Sequence, residues 1–134
     1  MGEQDNTNLV QQAYGNFQRG DIPGVLGLLS EDVEWETPET EEMPFASMYR
    51  GVEEVGQFFS TLDEVQEVLQ FEPTEFVAQN DKVVALGHYA WLVKATGKEF
   101  HSDFAHVFTV RDGKVTRFQE YTDTAAANAA FRGS

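Results

Sequence analysis

Residues 100–123, FHSDFAHVFTVRDGKVTRFQEYTD, decide the fold. They read as two strands joined at Arg111-Asp112-Gly113, where Gly113 is free to take the positive-φ position of a bulged hairpin turn. Side chains along a strand alternate between faces. The first strand therefore sets Ser102, Phe104, His106, Phe108 and Val110 on one side, and His101, Asp103, Ala105, Val107 and Thr109 on the other. If the turn holds three residues, Val110 faces Lys114, and Phe118, Glu120 and Thr122 join the His106 side. An aromatic wall with one imidazole and one carboxylate set into it suits a small-molecule pocket.

Upstream of this hairpin, hydrophobic alternation begins near Val68. It predicts strands over residues 71–78 and 82–95, which with 99–110 and 114–122 make an antiparallel meander. Asn80-Asp81, Thr96-Gly97 and Asp112-Gly113 punctuate it. Before Val68 the period is helical. Leu9, Val10, Ala13, Tyr14 and Phe17 predict an amphipathic helix over 7–19, ended by Gly20. A short second helix follows, capped by Asp21 with Pro23 in its first turn, and carries Val25, Leu26, Leu28 and Leu29. Val33, Trp35 and Thr37 alternate with Glu34 and Glu36 as a short strand, and residues 38–50 read as an acidic loop. A third helix after Gly51 has Val52, Val55, Phe58, Phe59 and Leu62 on its apolar side. The alanine-rich tail is a short helix or a frayed end.

Helices followed by a meander define an α+β domain. The 134 residues are expected to form a single domain, 1–134. A curled meander with three helices on its concave side makes a cone that they cannot fill, so a pocket is expected. The even positions Leu86, His88, Ala90 and Leu92 should share the inner face with His106 and Glu120. Tyr89, Trp91, Val93, Ala105, Val107 and Tyr121 would then form an apolar outer face, suited to a sheet-to-sheet homodimer.

A net charge of −14 argues against nucleic acid or an anionic membrane as partner. The chain has no cysteine, which excludes disulfides, thiolate metal sites and cysteine nucleophiles. No apolar signal core, no myristoylation pattern (Asn6 stands where Ser or Thr is needed) and no bilayer-length run is present, so a cytoplasmic setting is expected. His101-x-Asp103 has the spacing of two ligands on one strand face, but that face is outer and no third ligand lies nearby; no metal and no cofactor is expected.

Longer motifs carry a resemblance. Phe17-x-x-Gly20-Asp21, Leu29-Ser30-x-Asp32-Val33-x-Trp35 and Gly51-x-x-x-Val55-x-x-Phe58-Phe59 are three of them. His106-Val107-Phe108-x-Val110-x-Asp112-Gly113-Lys114-Val115, running on to Phe118-x-Glu120-Tyr121-x-Asp123, is the most specific. The chain resembles the SnoaL-like, ketosteroid-isomerase-related branch of the NTF2-like superfamily, and the resemblance spans nearly its whole length. It implies the NTF2-like cone, and the fold hosts isomerases, cyclases, hydrolases, dehydratases and non-catalytic proteins.

Residue by residue, known activities lose their parts. Thr37, before Pro38, stands where steroid isomerases carry a catalytic aspartate. Ala13 takes the place of their oxyanion tyrosine, with Tyr14 one residue late and rotated away, and His106 takes that of a protonated aspartate. Of the Asp–Arg–Asp set of limonene-epoxide hydrolases, only Glu120 keeps a carboxylate; His88 and Ala90 replace the others. SnoaL-type aldol cyclases need one acid/base residue on an inner strand, and His106 or Glu120 can fill that role.

The candidate catalytic residues are thus His106 and Glu120, diagonal neighbours across the hairpin, with His88 assisting. Trp35, Thr37, Tyr49, Phe59, Phe104, Phe108 and Phe118 are candidate lining residues for a small apolar or cyclic ligand, or ordinary core. An enzyme should show an open cavity of at least a few hundred Å³ bordered by His106 and Glu120. In a non-catalytic binding module the two would pair with each other, and in an adaptor phenylalanines would fill the space.

Overall fold

The computed structural model describes residues 2–133. In chain order these form α1 (Glu3–Gln18), α2 (Ile22–Leu26), β1 (Leu29–Glu36), β2 (Met48–Arg50), α3 (Gly51–Val65), β3 (Gln66–Gln79), β4 (Lys82–Val93), β5 (Glu99–Arg111), β6 (Lys114–Thr122) and α4 (Thr124–Phe131). The strands make one curved, unclosed sheet in the order β2-β1-β6-β5-β4-β3. This is the expected α+β cone.

The meander β3 to β6 is antiparallel as predicted, while β1 joins β6 in parallel and extends the sheet. That pairing shortens the second helix. Leu28 accepts from Val115 N at 2.9 Å and Leu29 pairs with Val115, so both leave the helix, Leu28 for the turn and Leu29 for the strand. Asp21 caps α2 through Gly24 N at 2.9 Å, as its side chain suggested.

Strand β3 starts at Gln66, straight out of α3 and earlier than alternation indicated. Bulges at 68/70 and 73/75 break the period there. Close to the second bulge, Gly87 of β4 pairs with Pro73 of β3 at close quarters. A Cβ on Gly87 would strike the Glu72 carbonyl oxygen and lie 2.6 Å from Phe104 Cζ and 2.8 Å from Pro73 Cα. Gly87→Ala is therefore expected to destabilise the fold by about 1–3 kcal/mol, measured by urea unfolding. An unchanged midpoint would show that β3 yields freely at this point.

The parity of β4 differs from expectation. Val93 N donates to Lys98 O at 2.8 Å across residues 94–97, a loop of even length, so odd positions pair with even ones. Ala85 faces His106, Tyr89 faces Ser102 and Trp91 faces Phe100. Tyr89, Trp91 and Val93 are consequently buried on the concave face and belong to its core, not to the outer surface. His88 pairs with Asp103 and turns outward, as do Leu86, Ala90 and Leu92.

Two clusters fill the concave side. One joins α1, α3, β1 and β6 through Val10, Val33, Trp35, Val55, Phe59 and Phe118. The other joins β4, β5 and α4 through Tyr89, Trp91, Phe100, Phe104, Ala127 and Ala130. Asp123 caps α4 by accepting from Ala126 N at 3.0 Å, so the tail is a docked helix.

Candidate functional site

His106 and Glu120 lie directly opposite one another. Arg111 pairs with Lys114 around a two-residue turn in which Asp112 and Gly113 both have positive φ, 52° and 75°. A bulge between the Thr109/Arg117 and Val110/Val115 pairs then restores the inward parity of β6. The pair is direct rather than the diagonal expected from a three-residue loop, a shift of two residues along β6. His106 Nε2 is 2.9 Å from Glu120 Oε2.

The other ring nitrogen, Nδ1, is 2.6 Å from the Tyr14 hydroxyl. Tyr14 was expected to turn away from the cone. The apolar stripe of a packed helix is at least about 100° wide, so Ala13 and Tyr14 both fit within it, and both line the cavity. Burial, then the nearby Glu120 charge, raises the Tyr14 phenol well above its ordinary range, so it keeps its proton. That proton has no other described acceptor and goes to Nδ1, which assigns the ring hydrogen to Nε2 and points it at Glu120.

Tyr89 completes the set. Its hydroxyl lies 2.8 Å from Thr122 Oγ1 and 3.3 Å from Glu120 Oε2. Burial first, then the Glu120 charge, also holds this phenol protonated. Thr122 donates onward to Ser102 Oγ at 2.9 Å, and Ser102 accepts from Asp123 N at 3.0 Å, tying the site to the cap of α4. Both contacts to the Glu120 carboxylate use Oε2. Among the described hydrogen bonds none reaches Oε1, and the Glu120 side chain, 18% exposed, borders the cavity.

That cavity measures about 100 Å³ as room for the centre of a water molecule. One water needs roughly 10–15 Å³, so it is a real void, but it falls short of the few hundred Å³ expected of an open enzyme cavity and suits only a slender ligand. Its walls are almost wholly apolar. Of the candidate residues, Trp35, Thr37, Phe59, Phe108 and Phe118 line it, with His106 and Glu120. Phe104 is instead buried behind the site, stacked on His106 at 4.2 Å between ring centres. Tyr49 packs against Phe58, and its hydroxyl accepts from Ala46 N at 3.0 Å, away from the void.

His88 lies outside the cavity. Its Nδ1 is 3.1 Å from the Asp103 carboxylate on the outer face, where the even-length loop placed it. His101, also outer, is 3.7 Å from Glu99. Among the described residues no group of three His, Asp or Glu side chains could hold a metal ion.

Sequence reasoning missed Tyr14, Tyr89, Trp91, Phe71, Phe45 and Gln66 as lining residues. The odd-numbered aromatics of β4 were the available signal, since Tyr89 and Trp91 are costly to leave exposed. Two buried lining atoms have no hydrogen-bond partner among the described residues: Trp35 Nε1 and Gln66 Oε1.

Comparisons with known proteins agree with this architecture. A SnoaL-like domain model matches residues 10–118. An NTF2-like protein from Burkholderia xenovorans LB400 superposes with a TM-score of 0.89 at 35% identity, over 98% of this chain and 99% of that one. TerC, co-crystallised with polyporic acid, superposes with a TM-score of 0.79 at 28% identity, over 95% of this chain and 98% of its own. An uncharacterised protein of Mycobacterium tuberculosis (strain ATCC 25618 / H37Rv) is 24% identical over 98% of both chains. The chain therefore belongs to the SnoaL-like family and has the NTF2-like cone fold.

Proposed function

We propose that this protein binds a small, mostly apolar carbonyl or polyketide-like molecule and catalyses proton transfer on it without a cofactor, as an isomerase, cyclase or hydratase would. The observation that carries this reading is the asymmetry of Glu120. Its Oε2 is held by His106 and approached by Tyr89, while no described hydrogen bond reaches Oε1 and the side chain borders the cavity. A carboxylate oriented through one oxygen and open at the other is built as a general base. Oε1 takes the α-proton of the carbonyl compound, leaving an enolate, and the carboxylic acid returns the proton or the carbanion attacks a second carbonyl. His106, oriented by Tyr14, positions the carboxylate and spreads its charge.

The alternative, a non-catalytic binding module, draws on the direct His106–Glu120 contact at 2.9 Å. That contact occupies one carboxylate oxygen of the two. TerC, of the same fold and 28% identical, was co-crystallised with polyporic acid, which supports a small-molecule ligand on either reading. The deciding experiment is deuterium exchange at the α-carbon of α-tetralone and related aryl ketones, followed by NMR. Exchange by the wild-type chain supports the enzyme. Binding without exchange for every ketone leaves the binding module.

A homodimer through the outer sheet face belongs to the same reading, on a revised set of residues. Val77, Val84 and Val107 form one cross-strand row, and Leu86, Ala105 and Tyr121 the next. Val77 is 56% and Tyr121 55% exposed, more than isolated surface hydrophobes need explain when they lie in adjoining rows. Sedimentation equilibrium should give a dimer, and Val107→Glu a monomer. A monomeric wild-type chain removes this part of the proposal. No described helix is long and apolar enough to cross a membrane.

A further inference from the structure

Gln66 is 5% exposed, yet its Oε1 has no hydrogen-bond partner among the described residues. Its backbone is fixed on both sides: the N–H donates to Leu62 O as α3 ends, and the residue pairs with Val93 as β3 begins. The backbone is thus held in place while the buried side-chain oxygen goes unused. A buried acceptor that has lost water and gained nothing in return is unfavourable unless something else supplies the hydrogen.

Its position says what that is. A surface groove runs between the end of α1, the end of α3 and the start of β3. Groove and cavity share one wall, made of Phe17, Phe59, Leu62, Gln66, Phe71 and Trp91. Gln66 carries the one side-chain hydrogen-bond acceptor in that wall, Trp91 offering only an indole N–H. Val68 and Leu69, 46% and 47% exposed, extend the groove as an apolar approach. The shared wall is the threshold between solvent and the void that holds Glu120.

We infer that Gln66 is the recognition group at this threshold, accepting a hydrogen bond from a hydroxyl at the outer end of a slender ligand whose inner end reaches Glu120. The inference rests on the cavity being a ligand site, as proposed above, and adds the substrate class: an elongated, mostly apolar molecule that is polar at both ends. The aromatic walls between the two polar groups suit flat rings. An apolar side chain at position 66 would seal the wall equally well but would not distinguish a hydroxylated end from a bare one.

Two probes of equal shape test this, para-phenylphenol with one hydroxyl and para,para′-dihydroxybiphenyl with one at each end. Calorimetric titration of the wild-type chain should favour the two-ended probe by about tenfold. Gln66→Leu should bind both alike, with its thermal midpoint unchanged or raised because the orphaned oxygen is gone. Equal affinities in the wild type, a preference that survives Gln66→Leu, or a midpoint lowered by several degrees each overturn the role of Gln66. Binding of both probes without preference removes that role and leaves the cavity as a ligand site. Failure of both probes to bind removes the ligand site and Gln66 together.

Discussion

Glu120→Gln is expected to slow α-proton exchange on any ketone the protein binds by at least about 100-fold, with the fold intact. Glutamine keeps the shape of the side chain and can still present an oxygen to His106 Nε2 and Tyr89. It removes the basic lone pair at the cavity edge. Exchange rates by NMR, with binding measured on the same samples, separate the chemistry from affinity. If Glu120→Gln exchanges as fast as the wild type, the base is another group and the proposed mechanism is wrong. His106→Ala is a poorer test. The ring is 4% exposed and stacked on Phe104, so truncation opens a cavity and strips partners from both Tyr14 and Glu120, at a cost of roughly 2–5 kcal/mol. Its loss of activity would then be shared with loss of the fold.

The second large effect is alkaline. Tyr14 and Tyr89 are kept protonated by burial and by Glu120, so each folded pKa lies above the ordinary 10.0. Below pH 10 both states hold these protons and the contribution to stability is complete. Above it the unfolded chain releases them while the folded chain does not, so stability falls as pH rises. The slope is about 1.4 kcal/mol per pH unit for each tyrosine, or roughly 2.7 for the two. Urea unfolding from about pH 9 to about pH 11.5 should show this fall, and Tyr14→Phe or Tyr89→Phe should each halve it. At neutral pH Tyr14→Phe should itself cost about 1–3 kcal/mol by leaving His106 Nδ1 unpartnered. A slope that Tyr14→Phe leaves unchanged would mean that phenol ionises freely in the folded protein.

The fold and the inward placement of part of the candidate site could be read from residues alone, for a definite reason. On β5, alternation is unbroken from Ser102 to Phe108, so the inward set with His106 was correct without any knowledge of its neighbours. Glu120 reached the same face because a bulge after a two-residue turn preserves the parity that a three-residue turn would give. Its direct opposition to His106 could not be read, because the two solutions differ by two residues along β6 and so leave every side chain facing the same way.

On β4 both faces are apolar in places, so composition gave no preference, and the length of the 94–97 loop decided inward against outward. That choice put His88 outside and Tyr89 inside. Tyr14 was misplaced by treating a helix face as a line rather than a broad stripe. Gln66 was invisible because the bulges of β3 erase the period-two signal that would have placed it in a strand. The parallel β1–β6 pairing brings together segments some 80 residues apart, such as Glu36 and Gln119, and no local pattern encodes it.

Position at the sheet margin gives β3 a further significance. A strand of 14 residues at the end of the order, with Val68, Leu69 and Val77 exposed, is a template onto which foreign chains could add. Pro73 withholds a donor, two bulges twist the ladder out of flatness, and Glu67, Glu72 and Glu75 place like charges along any incoming copy. The irregularities that hid this strand from pattern reading therefore also guard the protein against fibrous self-assembly.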